Sequence, residues 1–266
     1  MCPAKPPPEP VLSATILLVR DGARGLEVFM VQRHHRIDFA TGAMVFPGGK
    51  LEEGDFDPSL RGRTRGCEGL TDAEIALRAG AIRETFEEAR VLLATRRGHG
   101  ALLSGPEVLA IEERHRGALE AHELRIDTLA RDEDLELACD RLVPFAHWIT
   151  PEFMPKRFDT WFFLVAAPED QVAVHDGREG VDSHWIPPAE AVAEAEAGRR
   201  TIIFPTLLNV QQLGRSTSVA EALAAARREP VVTVLPRVVE TAAGSMLRIP
   251  AEAGYGISEA PVEALR

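Results

Sequence analysis

The stretch Arg83-Glu84-Thr85-Phe86-Glu87-Glu88-Ala89-Arg90-Val91 places three carboxylates on one helical surface. At about 100° per residue, the side chains of Glu84, Glu87 and Glu88 project within an arc of roughly 100°. One reading is a solvated helix face, with Arg83 pairing to Glu87 one turn on. The other is a cation site, because three like charges repel at this spacing unless something positive sits among them. Carboxylate oxygens suit the hard ions Mg²⁺ and Mn²⁺. Upstream lies Phe46-Pro47-Gly48-Gly49-Lys50, whose paired glycines let backbone approach a ligand or metal closely, and this loop favours the second reading.

Working outward, the spacing predicts that the helix starts at Thr71, where Thr71 and Glu74 form a capping-box pattern. Ile75, Ala79, Ile82, Phe86 and Leu93 recur on one side and are expected to bury that face, leaving the glutamates on another. Towards the N-terminus, residues 11–20 and 26–33 read as strands joined by a turn at Asp21-Gly22, and residues 39–46 lead by a short strand into the glycine loop. The polar, Arg/Gly-rich segment 56–69 reads as a surface loop. Residues 96–140 read as charged helix anchored by Val108, Ile111, Leu119 and Leu124.

Further strands are expected at 142–149 and 158–167, with Trp161, Phe162 and Phe163 in the core. Asp159 reads as a cap or as a partner of Arg157. A polar turn at 176–180 leads to a strand ending at Trp185-Ile186-Pro187. Helices follow at 188–198, 205–213 and 219–227, and a last pair of strands at 231–240 and 246–250. No internal repeat is visible.

Composition bounds the function. The chain of 266 residues with 45% hydrophobic content can bury a substantial core, read here as one elaborated domain. A formal charge of −11 argues against nucleic-acid binding, which needs a basic surface. Basic residues gather locally in Arg33-His34-His35-Arg36 and Lys156-Arg157, which suits a small polyanion. Cys2, Cys67 and Cys139 have no metal spacing and are too few for a disulfide framework, so a reducing cytoplasm is the natural compartment. The Pro-rich residues 1–10 read as a disordered arm without a secretory apolar core, and no window is apolar enough to span a membrane. Ala264-Leu265-Arg266 is not a peroxisomal address.

The glycine loop and the carboxylate helix together resemble the Nudix box. In that family a Gly is followed by five residues, a Glu, seven residues, and then Arg-Glu-aliphatic-any-Glu-Glu-any-Gly-aliphatic. Gly49 takes the first position and Asp55, one methylene shorter, stands where the family has Glu. Residues 56–82 number 27, so the box is split by 20 extra residues. Arg83, Glu84, Glu87, Glu88 and Val91 match; Thr85 replaces an aliphatic residue. Arg90 replaces the Gly, so the helix is expected to run on past it. A box split in this way is similar to the coenzyme A diphosphatase branch of Nudix hydrolases, peroxisomal and bacterial. Val31-Gln32-Arg33, residues 42–50 and residues 150–163 add to the likeness, which covers roughly residues 12–215.

The resemblance implies an α/β fold, the Nudix α/β/α sandwich with a mixed sheet. On it sit insertions at about 56–70 and 96–140, and residues 216–266 form a C-terminal helix and β extension packed on the same domain. It implies hydrolysis of a diphosphate in a nucleoside diphosphate derivative, with coenzyme A or its acyl derivatives first. ADP-ribose or a nucleotide sugar is the alternative, and a non-catalytic nucleotide sensor the reading of another class. The implied ligands of Mg²⁺ or Mn²⁺ are Glu84, Glu87, Glu88 and the Gly48 carbonyl, with Arg83 orienting the acids. Glu179, six residues before Trp185, is the implied general base, against a plain turn residue; Asp176 and Asp182 compete, as do Glu87 and Glu88. Arg33, Arg36 and Arg157 are candidates to grip phosphates. The implied partner is a small-molecule nucleoside diphosphate derivative, and the reading allows a homodimer.

Overall fold

The computed structural model describes residues 6–33, 42–175, 177, 180–241 and 244–265. Strands β1 (Val11–Gly22) and β2 (Gly25–Arg33) form a tight hairpin in which Gly22 faces Gly25 across the turn. β3 (Met44–Val45) adds to β2, and β4 (Gly48–Lys50) turns back antiparallel along the start of β1, with Thr15 opposite Gly48. The chain then enters helix α1 (Asp72–Ala89). From there it makes an excursion through β5 (Ala94–Arg96), α2 (Gly105–Ala121), α3 (Ile126–Asp132) and β6 (Leu135–Leu137).

β7 (Val143–Ile149) and β8 (Phe158–Ala166) return to the main sheet, where β8 lies parallel to β1 from Val11 opposite Phe158 to Val19 opposite Ala166. β9 (Gly180–Ile186) pairs with β2, and helices α4 (Pro188–Glu196), α5 (Phe204–Leu213) and α6 (Val219–Arg228) follow. β10 (Thr233–Val234) pairs with the edge strand β7. β11 (Arg237–Thr241), β12 (Gly244–Arg248) and β13 (Glu259–Pro261) make a separate small sheet. The main sheet is therefore mixed, in the order β10-β7-β8-β1-β2-β3, with β4 on β1 and β9 on β2.

Alternation along β1 divides the core. Ala14, Ile16 and Leu18 face α1 and the excursion, whereas Leu17 and Val19 face α5 and α6. Each layer is closed by apolar side chains such as Ile82, Phe86 and Phe163 on one side and Phe162, Phe204 and Leu208 on the other. Burying a side chain of that size stabilises the fold by about 1.5–3 kcal/mol before entropy is counted.

The capping box at Thr71 forms as its pattern predicts: the Glu74 amide donates to Thr71 Oγ1 and the Thr71 amide to the Glu74 carboxylate. Several other expectations give way. The predicted face of Ile75, Ala79, Ile82 and Phe86 is buried, but burial runs further round α1, to twelve of its eighteen residues, because the excursion covers the face that the sheet does not. It also ends at Ala89, and Arg90 takes the left-handed conformation (φ 60°, ψ 20°), its amide donating to the carbonyls of Phe86 and Thr85. Leu93 thus lies beyond the helix, though still in the core. The segment 56–69 does not skim the surface. It coils through a 3-10 turn (Pro58–Arg63), Leu60 and Cys67 are buried in the core that includes α1, and Arg61 and Arg63 pair with Asp72 and Asp134.

The region 96–140 is entered and left through the paired strands β5 and β6, too short to show as alternation. The expected terminal strand 231–240 is two strands, because Thr233 and Val234 are drawn to the edge of the main sheet and the chain then turns away.

Candidate active site

The site is assembled from the glycine loop and the last two turns of α1. Arg83, 1% exposed, is the hub. Its Nε and Nη2 both bond the Asp55 carboxylate at 3.1 Å, Nη2 also donates to the Lys50 carbonyl at 2.8 Å, and Nη1 reaches Glu87 at 3.1 Å and Glu84 at 3.0 Å. Burial opposes the charge on this guanidinium, but the carboxylates of Glu84, Asp55 and Glu87 outweigh it and keep Arg83 protonated. Asp55 also accepts the Glu52 amide at 2.8 Å and so pins the loop as well as the arginine.

Two glycines make the fit possible. A β-carbon on Gly49 would come 2.5 Å from a Glu84 carboxylate oxygen, and one on Gly80, inside α1, would come 2.9 Å from Asp55 Oδ2. The Gly48 amide donates to Glu88 Oε2 at 2.9 Å, tying the loop to the helix a second time. Thr85, at the family's aliphatic position, is fully buried and turns its hydroxyl back onto the Ala81 carbonyl at 2.7 Å, so the polar atom is satisfied within the helix.

Beside this assembly lies a cleft of about 380 Å³. Gly48, Gly49, Glu84 and Glu88 form its acidic wall, and Ser13, Thr15, Phe158 and Thr160 from β1 and β8 form another. Arg33, Lys50 and Glu52 complete it. Arg33 is half-buried at the end of β2, and its Nε finds no hydrogen-bond partner among the described residues. The burial of Glu87 pushes its carboxyl up to about 8, against the pull of Arg83 and with the charges of Glu84, Glu52 and Asp55 adding to the effect. Glu52, a mere spacer in the box pattern, is therefore part of the site's field.

Among the described residues no three His, Cys, Asp or Glu side chains converge closely enough to hold a metal ion. Arg83 draws Glu84 and Glu87 towards itself, whereas the Gly48 amide holds Glu88, so the three glutamates are split between two partners. The donor chemistry still fits a hard divalent cation. Glu84 and Glu88 are oxygen donors on the cleft wall, beside the backbone of Gly48 and Gly49.

Other expected site residues lie elsewhere. Arg157 does not line the cleft; its Nε and Nη1 donate to the carbonyls of Thr150 and Pro8 and so fasten the N-terminal segment to the end of β7. Asp159 pairs with His147 at 2.5 Å and not with Arg157, because the register of β7 against β8 sets the imidazole nearby and stacks it on Trp161. Asp182 is half-exposed and bonded to His184. Arg36, Asp176 and Glu179 lie outside the described residues, as do His34 and His35.

The sheet order and the carboxylate helix define a Nudix domain. A crystal structure of a NUDIX hydrolase from Alicyclobacillus acidocaldarius superposes with a TM-score of 0.63 at 25% identity, covering 81% of this chain and 96% of that one. The family model of the NUDT19 Nudix domain matches residues 64–213, and the chain belongs to that family. Its relatives include "Putative nudix hydrolase 7" of Caenorhabditis elegans, 27% identical over 76% of this chain and 60% of the relative. The "Acyl-coenzyme A diphosphatase NUDT19" of Gallus gallus is 29% identical over 62% and 55%, and that of Homo sapiens 26% over 82% and 65%. The chain thus spans somewhat under two thirds of the length of these curated relatives. Among the described residues no helix is long and apolar enough to cross a membrane.

Proposed function

We propose that the protein hydrolyses the diphosphate of coenzyme A or acyl-coenzyme A, giving 3',5'-ADP and (acyl-)phosphopantetheine. The observation that carries this reading is the meeting, in one cleft, of the Glu84 and Glu88 carboxylates with an arginine whose buried Nε has no partner among the described residues. The diphosphatase named among the relatives supplies the substrate class.

A divalent cation, Mg²⁺ or Mn²⁺, held by Glu84, Glu87, Glu88 and the Gly48 carbonyl, would neutralise the diphosphate and activate water. The protein's own groups do the rest. Arg83 fixes the rotamers of the acids it touches, so their orientation is set before substrate arrives. Arg33 offers its donors to a phosphate oxygen, and Ser13, Thr15 and Thr160 provide hydroxyls along the cleft. The water oxygen forms its bond to one phosphorus as the bond to the bridging oxygen breaks. The water's proton passes to a carboxylate, for which Glu179 and Glu87 compete.

Purified protein incubated with Mg²⁺ or Mn²⁺ and, separately, coenzyme A, acetyl-coenzyme A, ADP-ribose and nucleoside triphosphates, with products resolved by chromatography, tests this reading. Release of 3',5'-ADP from coenzyme A is expected. Turnover of none of these compounds sinks the catalytic assignment, and preference for ADP-ribose sinks the substrate assignment alone.

A further inference from the structure

We propose that an apolar pocket adjoining the cleft receives the pantoyl arm of the substrate, the branched hydrocarbon segment next to the diphosphate, and that this pocket sets substrate choice. The inference rests on the diphosphatase reading of the cleft. The pocket, of about 120 Å³, lies between the facing ends of β7 and β8 and the start of α5, and Ile149, Met154, Phe158, Phe162, Ile203 and Pro205 are among its walls. None of the residues lining it is charged. Two polar groups at its rim are already engaged: Thr150 Oγ1 accepts the Phe158 amide at 3.1 Å, and Trp148 Nε1 donates to the Tyr255 hydroxyl at 2.8 Å.

Phe158 and Thr160 line both the pocket and the cleft, so the apolar volume begins where the diphosphate would lie. That adjacency separates the two ends of the substrate. On the nucleotide side the diphosphate is followed by a ribose with its hydroxyl and a 3'-phosphate, and such groups lose hydration in an uncharged pocket without recovering it. On the other side, one methylene from the ester oxygen, comes a carbon bearing two methyl groups. Only that side presents apolar surface within a few bonds of the reacting phosphorus. The pocket then rewards coenzyme A and its acyl esters over diphosphates that carry a second sugar in the same place.

The test uses the full chain, Met154→Glu, which sets a charge on the half-buried turn between β7 and β8, and Ile203→Ala, which widens the pocket with little risk to folding. Wild type is assayed first with coenzyme A, and absence of turnover overturns the cleft reading itself, whatever the pocket does. Given turnover, Met154→Glu should raise KM for coenzyme A about tenfold and weaken inhibition by phosphopantetheine by a similar factor. Inhibition by 3',5'-ADP should stay unchanged. Ile203→Ala should move the same two values in the same direction by a smaller factor, and it is read alone if the charged variant does not fold. Weakened inhibition by 3',5'-ADP with phosphopantetheine unaffected places the base in the pocket and overturns the proposal. So does a wild-type response to both inhibitors in both variants.

Discussion

Arg83 and Arg33 stand at the same cleft, and their donors are used in opposite ways. Arg83 sits behind the acidic wall with every nitrogen engaged: two bonds to Asp55, one to the Lys50 carbonyl, and contacts to Glu84 and Glu87. Arg33 lines the cleft itself, with a buried Nε that has no partner among the described residues. A guanidinium whose donors are all answered by the protein holds parts of the protein in place. One with an unanswered buried donor at a cleft carries a desolvation cost that an anionic ligand relieves. The first belongs to the scaffold of the site, and the second, on the proposed function, to the substrate.

The sharpest way to break this division is at the acids themselves. Glu88→Gln keeps an acceptor for the Gly48 amide but removes the charge, so turnover should fall by about 10²–10⁴-fold with little change in melting temperature. A variant as active as wild type shows that Glu88 only braces the loop. Next, Arg83→Lys should destabilise the protein by about 3–5 kcal/mol in urea titration, because a lysine cannot reproduce the paired bond to Asp55 and leaves buried carboxylates unmatched. An unchanged midpoint would mean that the hub is not holding the site together.

Arg33→Ala should do the reverse: raise KM about tenfold, with kcat and stability near wild type, since no described partner is abandoned. A large loss of stability would put Arg33 in the scaffold too.

The smallest expected effect is on pH dependence. In the metal-free protein the Glu87 carboxyl is raised from 4.5 to about 8, so the folded state holds a proton that the unfolded chain releases. The stability tied to this group is complete below pH 4.5 and is lost as pH rises towards 8. Thermal melts without metal, run across that window, should show a decline that Glu87→Gln flattens. Added Mg²⁺, which favours the carboxylate, should oppose it. A decline of equal size in the variant would assign the effect to other groups.

Much of the site could be read from local sequence, because its parts obey short-range rules. The capping box at Thr71 and the one-turn spacing of Arg83 to Glu87 lie within a few residues of their partners, and the paired glycines, though 40 positions from Glu88, show as a short motif of their own. What escaped depends on contacts across the chain. Asp55 read as a shortened box carboxylate, yet it is the principal partner of an arginine 28 positions away. Gly80 is any small helical residue until Asp55 is set against it. Glu52 owes its place to the Asp55 carboxylate that its amide meets, and the buried turn of 56–69 to the excursion it packs against, whose neck of two short strands leaves no periodic trace. The strands β1, β2, β7 and β8 are each legible as apolar stretches, but the parallel union of β1 with β8 joins residues nearly 150 positions apart.

Arg90 fills the position that the box ordinarily gives to glycine, and the exchange has a cost and a return. A non-glycine residue in the left-handed region carries about 1–2 kcal/mol of backbone strain. In return its side chain reaches Glu112 of α2 at 3.5 Å, an ion pair about one-fifth exposed. The end of the carboxylate helix is thus latched to the excursion by charge, where glycine would have ended it by backbone freedom alone. Such a latch feels ionic strength: it tightens in dilute buffer and slackens as counterions crowd in, whereas a glycine cap would be indifferent to salt.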